Sequence, residues 1–205
     1  MADAPIFRAV VIGVSSGGVQ ALSSLLGALP ADFPLPIMIV QHIGAEAGNG
    51  LARLLDAHSP LRVKEADEQD LVMPGHVYLA PANYHLLVEP DGRLSLSADA
   101  PVSYARPSVD VLFEAAADVY TDTLIGVVLT GANFDGSRGL ARIKQCGGLV
   151  IVQDPEDAEA PQMPAAALAA TPVDHVLPLN GIAGLLSALA GGGVLPTRNK
   201  VPCHG

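Results

Sequence analysis

Four apolar runs each end in side chains that could do chemistry. Ser15 and Ser16 follow the run Ala9-Val10-Val11-Ile12-Gly13, and Gln41 and His42 follow Ile37-Met38-Ile39-Val40. Asn133 and Asp135 follow Leu124 to Thr130, and Gln153 and Asp154 follow Leu149 to Val152. A serine, a histidine and an aspartate from three separate segments are the set for nucleophilic acyl transfer. The hydroxyl attacks, the imidazole takes its proton, and the carboxylate orients the imidazole. Gly13-Val14-Ser15-Ser16-Gly17 also matches G-x-S-x-G, the turn that exposes a serine oxygen between a strand and a helix. The helix N-terminus beneath such a turn offers free N–H groups and partial positive charge to an oxyanion. A blander reading stands beside each of these. Gly13 to Gly18 is also the kind of turn that binds a dinucleotide. However, position 15 breaks G-x-G-x-x-G, and the second run ends in Gln41-His42 rather than an acidic ribose binder. His42 alone would read as a structural histidine, and Asp135 alone as a turn residue or helix cap.

The elements that must position these groups follow from the pattern. The four runs are short, β-branched and without alternation, as in strands buried on both faces of a parallel sheet. Leu22, Leu25, Leu26 and Leu29 recur at helical spacing, as do Leu51, Leu54 and Leu55. Ser108 reads as the N-cap of a helix through Asp110, Val111, Leu112, Phe113 and Ala116. Further helices are expected near 139–144, at 165–170 with Pro164 in the first turn, and at 181–190; Val176-Leu177 reads as a short last strand. Strand and helix alternate, which implies right-handed crossovers and an α/β fold: a doubly wound, mostly parallel sheet flanked by helices. Residues 62–97 differ. Short alternating runs at 62–65, 76–80, 85–88 and 94–96, punctuated by Pro74-Gly75, Pro81-Ala82-Asn83 and Pro90-Asp91-Gly92, predict a small antiparallel hairpin insertion. In an open α/β sheet, ligands bind at the carboxyl ends of the strands, where the candidate residues lie.

Composition narrows the function classes. The chain has 205 residues, 50% hydrophobic and 16% charged, with mean hydropathy +0.38. Disorder, a coiled coil and a disulfide scaffold are excluded on that basis. A net charge of −10 argues against a nucleic-acid partner, which needs a concentrated basic surface. No run of about 18 apolar residues exists, so no membrane insertion is expected. The first residues lack the basic start and long apolar stretch of a signal peptide, so none is expected. The two cysteines, Cys146 and Cys203, fit a reducing compartment better than a disulfide framework, so a cytoplasmic location is expected. His58, His76, His85, His175 and His204 show no metal-ligand spacing.

A standard α/β-hydrolase runs serine, acid, histidine, with several strands before the serine. Here the order is Ser15, His42, Asp135, so the architecture is a different one. Six motifs occur in order: Ile12-Gly13-Val14-Ser15-Ser16-Gly17-Gly18; Val40-Gln41-His42; Pro74-Gly75-His76-Val77-Tyr78-Leu79-Ala80-Pro81; Arg106-Pro107-Ser108-Val109-Asp110-Val111-Leu112-Phe113; Leu129-Thr130-Gly131 with Asp135-Gly136; and Met163-Pro164. Together, over roughly residues 8–190, they resemble the catalytic domain of the chemotaxis protein-glutamate methylesterases.

The resemblance implies a serine hydrolase that demethylates glutamate methyl esters on the cytoplasmic helices of methyl-accepting chemoreceptors and deamidates certain receptor glutamines. It needs no metal or organic cofactor. Carried over by motif, Ser15 is the nucleophile, His42 the general base and then acid, and Asp135 the orienting carboxylate. Ser16 occupies an auxiliary hydroxyl position, and the backbone of Ala132 supplies an oxyanion donor. The family's usual Thr-Gly-Met-Gly-Asn-Asp-Gly is here Thr130-Gly131-Ala132-Asn133-Phe134-Asp135-Gly136. That change keeps open an alternative, a receptor- or partner-binding module that retains the fold without catalysis. Arg106, Arg138 and Arg142 are candidates for contact with an acidic receptor helix. The expected organisation is a tail at 1–7, a catalytic domain at 8–190 and a flexible tail at 191–205, with no room for the receiver domain that family members commonly carry.

Overall fold

The protein is described here by a computed structural model, covering residues 7–42 and 50–191. The tail positions 1–6 and 192–205 lie outside the described residues, so the expectations for both tails are untouched by it.

Seven strands form one sheet in the order β3-β4-β2-β1-β7-β8-β9, with every adjacent pair parallel. They are β1 (Ala9–Val14), β2 (Ile37–Gln41), β3 (Arg62–Glu65), β4 (His76–Leu79), β7 (Leu124–Val128), β8 (Leu149–Gln153) and β9 (His175–Leu177). The predicted buried runs are buried along their whole length in β1, β2, β7 and β8, because helices cover both faces. Val10, Ile12 and Val14 of β1 pack in one core with α1 (Gly18–Gly27), α2 (Gly50–His58) and α6 (Leu179–Ala190). Ala9 and Val11 face the other core, with α3 (Val109–Tyr120), α4 (Ser137–Gln145) and α5 (Gln162–Ala170). The period-two alternation of side chains sends neighbouring residues of one strand to opposite layers. Each fully buried Leu or Phe in these layers contributes about 1.5–3 kcal/mol.

The hairpin expectation is corrected in part. Among the described strands, only β5 (His85–Val88) and β6 (Leu94–Ser97) form an antiparallel pair, turning at Gly92 with φ 81°. The runs at 62–65 and 76–79 instead join the main sheet as parallel strands. Their alternation has another cause. β3 is an edge strand with Arg62 exposed, so it looks like one side of a hairpin in sequence. Cys146 is buried after α4, and Cys203 lies outside the described residues.

Strand order reverses at β1. From β1 the chain crosses to β2 on one side, and from β7 it crosses to β8 on the other. The carboxyl ends of β1 and β7 therefore flank a crevice, the place where such sheets bind ligands. The backbone comes close there because glycine permits it. A Cβ on Gly13 would run into the side chain of Val109, the first residue of α3.

Gly13→Ala is expected to push α3 off β1 and to lower stability by about 1–3 kcal/mol, the usual penalty for overpacking. Denaturant midpoints check this. Val109→Ala in the same chain should return part of the loss, since it removes the atoms that collide.

Candidate active site

Ser15 follows β1 directly, in the turn before α1. Its N–H donates to Thr130 O at 3.0 Å, and the Thr130 hydroxyl donates to Ser16 O at 2.9 Å. Gln41 Nε2 donates to Ser15 O and to His42 O, both at 2.9 Å. Gln153 Oε1 accepts the Thr130 N–H at 2.9 Å. Thus the glutamines flagged at two strand ends serve as clamps between loops. Gly17 takes φ 76° as it starts α1, a conformation that favours glycine.

His42 is set by the adjacent strand, its N–H donating to Val14 O at 3.1 Å. Its ring lies between two partners. Nε2 is 2.8 Å from Asp135 Oδ2, and Nδ1 is 3.0 Å from Asn133 Nδ2. Asn133 Oδ1 accepts the Asp135 N–H at 3.0 Å, which fixes the amide so that its NH2 faces the ring. An amide NH2 can only donate, so Nδ1 must carry the lone pair and Nε2 the proton. The nitrogen available as a base is therefore Nδ1. Ser15 Oγ lies on the same side, 3.5 Å from the same Asn133 Nδ2. Asn133 Nδ2 reaches both the Ser15 hydroxyl and the His42 ring, and Ser15 has no hydrogen bond to His42 among the described residues.

Asp135 is nearly sealed, with its side chain 1% exposed. Besides His42 it accepts the Ser108 hydroxyl at 2.9 Å, the Val109 N–H at 2.7 Å and the Asp110 N–H at 3.0 Å. Burial pushes its carboxyl up, but the bonds from His42, Asp110, Val109 and Ser108 outweigh that and hold it below the ordinary carboxylate range. Ser108 does occupy the N-cap of α3, yet its own side chain does not cap the helix. Asp135 caps it from another loop, which corrects the local reading of Ser108. His85, buried on β5, accepts the Ser108 N–H on Nδ1 at 3.2 Å, with its Nε2 3.2 Å from Ala100 O.

Asp110 returns the arrangement. Its Oδ1 accepts the N–H groups of Gly136 and Gly139 at 3.0 and 2.8 Å, capping α4. Desolvation, more than anything else, raises its carboxyl, and the nearby Asp135 charge adds to that. Ser108 and Asp110 escaped the sequence reading as site residues. Their signals were polar side chains at the start of an apolar helix and a place in the motif from Arg106 to Phe113.

The remaining candidates are placed as follows. Ser16 is exposed, and its carbonyl rather than its hydroxyl is engaged. Ala132 is exposed, and neither its N–H nor that of Ser16 meets an acceptor among the described residues. Asp154 accepts the Glu156 N–H in its own turn. Arg106 donates to Ala98 O and Asp99 O, while Arg138 and Arg142 pair with Glu114 and Asp118. Among the described residues, no cluster of His, Cys, Asp or Glu could hold a metal ion. No helix there is long and apolar enough to cross a membrane.

Two outcomes follow from the carboxylates. Asp110→Asn keeps an acceptor for α4 and removes a charge beside Asp135, so it should change stability by less than about 1 kcal/mol, whereas Asp110→Ala should cost about 1–3 kcal/mol. Asp135 titrates low when folded, so its contribution is complete above the unfolded carboxylate value and is lost as pH falls through the folded one. Stability should thus decline on acidification below about pH 4, and less steeply in Asp135→Asn. Denaturant titrations across pH check both.

Known proteins share this sequence and fold. The CheB methylesterase family matches residues 10–186. A putative protein-glutamate methylesterase/protein-glutamine glutaminase of Leptospira interrogans is 51% identical over 89% of this chain and 95% of its own length. Protein-glutamate methylesterase FrzG of Myxococcus xanthus is 41% identical over 89% of this chain and 54% of its own. The crystal structure of the Thermotoga maritima CheB methylesterase catalytic domain superposes with a TM-score of 0.86 at 37% identity, covering 89% of this chain and 98% of that one. This chain is a member of the CheB methylesterase family.

Proposed function

We propose that this chain hydrolyses glutamate methyl esters on chemoreceptor cytoplasmic helices, and deamidates receptor glutamines, through Ser15, His42 and Asp135. The observation that carries the reading is the Asp135–His42 contact at 2.8 Å, with Ser15 on the side of the opposite ring nitrogen. Ser15 Oγ attacks the ester carbonyl as His42 Nδ1 takes its proton. The tetrahedral intermediate collapses, Nδ1–H protonates the leaving oxygen, and methanol departs. Water then gives a proton to Nδ1 and attacks the acyl-enzyme, releasing the glutamate carboxylate and Ser15. Throughout, Asp135 stays ionised and holds the Nε2 proton, stabilising the imidazolium. The N–H groups of Ala132 and Ser16, without acceptors of their own, are the donors assigned to the oxyanion. The residues at 8–190 are the unit assigned to this chemistry, in the cytoplasm.

Exposure of the site suits a side chain presented by a helix. Ser15 is partly exposed and the His42 side chain is 15% exposed. A cleft of about 450 Å3 nearby is lined by Gly17, Thr130, Gln153, Asp157 and Glu159, but by none of the three reacting groups. A small metabolite would be expected to sink into such a cleft, whereas Ser15 meets its substrate near the surface. The capped base nitrogen favours a second reading, a partner-binding module without turnover.

Methanol release from a methylated chemoreceptor cytoplasmic fragment tests the proposal. Ser15→Ala and His42→Ala should each lower it by about 10³-fold or more, and Asp135→Asn by about 10²–10⁴-fold, because the three act as a unit. Release by Ser15→Ala at the wild-type rate would sink the assignment.

A further inference from the structure

We propose that Asn133 is a displaceable cap on the general base. Its amide occupies His42 Nδ1 in the resting enzyme, and substrate must turn it aside before Ser15 can react. The inference rests on the reading of Ser15 and His42 as nucleophile and base, and adds to it how their contact is controlled.

Three contacts carry it. Asn133 Nδ2 sits 3.0 Å from His42 Nδ1 and 3.5 Å from Ser15 Oγ, while Oδ1 is held by the Asp135 N–H at 3.0 Å. The first consumes the lone pair that Ser15 needs for its proton. The amide is also wrong for the reaction that follows. Once Nδ1 is protonated it becomes a donor facing another donor, and Asn133 Nδ2 must leave. What remains to hold the side chain is its bond to the N–H two residues on, a local Asx turn. Asn133 is partly exposed and lies between exposed Ala132 and exposed Phe134, so it can rotate toward solvent without disturbing either core.

The cap gives substrate two tasks. A receptor helix lying over Phe134, whose side chain is exposed, meets the Asn133 loop as it docks and contributes binding energy to the displacement. A small reagent makes few such contacts and must wait for the amide to move unaided. Loss of the cap should therefore help small reagents in rate and receptor substrate in KM. The size is that of one net hydrogen bond, about three- to tenfold.

Labelling by an alkyl fluorophosphonate without receptor tests this. In that step Ser15 Oγ bonds to phosphorus, fluoride leaves, and the hydroxyl proton passes to Nδ1. Asn133→Ser keeps an oxygen for the Asp135 N–H and removes the amide donor; Asn133→Ala removes both. Labelling of Ser15 should be about three- to tenfold faster in Asn133→Ser than in wild type. On receptor fragment, the gain should appear in KM rather than in kcat. The 15N signal of His42 Nδ1 should move toward that of an unprotonated nitrogen without a donor. Slower labelling in Asn133→Ser, or a lower kcat with KM unchanged, would overturn the cap and make Asn133 an aid to the chemistry. An unmoved Nδ1 signal would overturn it as well. Absence of any Ser15 adduct in wild type and variants alike would remove the nucleophile assignment and the cap with it. Ser15 labelling at equal rates in wild type and Asn133→Ser would overturn the cap alone. If Asn133→Ala behaves unlike Asn133→Ser and melts earlier, the serine variant decides.

Discussion

The site hangs on one buried carboxylate. Asp135 lies at the end of the loop after β7 and collects four donors, one from the imidazole of His42 and three from the start of α3. Each donor would be an unsatisfied polar group without it, and a helix N-terminus leaves several N–H groups in need of partners. The same bonds hold Asp135 ionised and its two oxygens pointed. Helix capping and ring orientation are a single interaction here, so the position of α3 on the sheet and the tautomer of His42 cannot vary independently.

Asp110 makes that interaction reciprocal. Asp135 caps the helix that carries Asp110, and Asp110 caps the helix that begins just after Asp135. Two carboxylates in one buried region repel, and the structure answers with different environments. Asp135 has four donors, with His42 among them, and titrates low. Asp110, left with two backbone donors to one oxygen and a distant Arg138 at 4.0 Å, titrates high. The pair follows the general rule that closely placed acids are driven apart in affinity for protons. Packing allows such close quarters because Gly13 and Gly136 leave Val109 room against the strand and the loop.

Much of this was legible without coordinates. Unalternating β-branched runs mean strands covered on both faces, and the doubly wound sheet follows. Polar residues directly after such runs had to gather at one edge, which is why Ser15, His42 and Asp135 could be named. Edge strands were not legible. β3 alternates because one side meets solvent, and alternation cannot distinguish that from a hairpin. Ser108 shows a second limit. Its type and position announce a helix cap, but the acceptor that caps α3 comes from 27 residues away.

The sequence by itself determined which groups are available and which end of the sheet they share, since strand period and strand order are properties of local pattern and chain connectivity. Tertiary structure decided what those groups face. Asn133 was only one polar residue in a loop until the fold turned its Oδ1 onto the Asp135 N–H, which points its NH2 toward His42 and Ser15. Which imidazole nitrogen faces Asp135, which faces Asn133 and which amide lies near the Ser15 hydroxyl are all outcomes of distances of about 3 Å between segments remote in the chain. Hydrogen bonds lose their strength within a fraction of an ångström and a few tens of degrees, and no spacing of residue types along a sequence carries that precision.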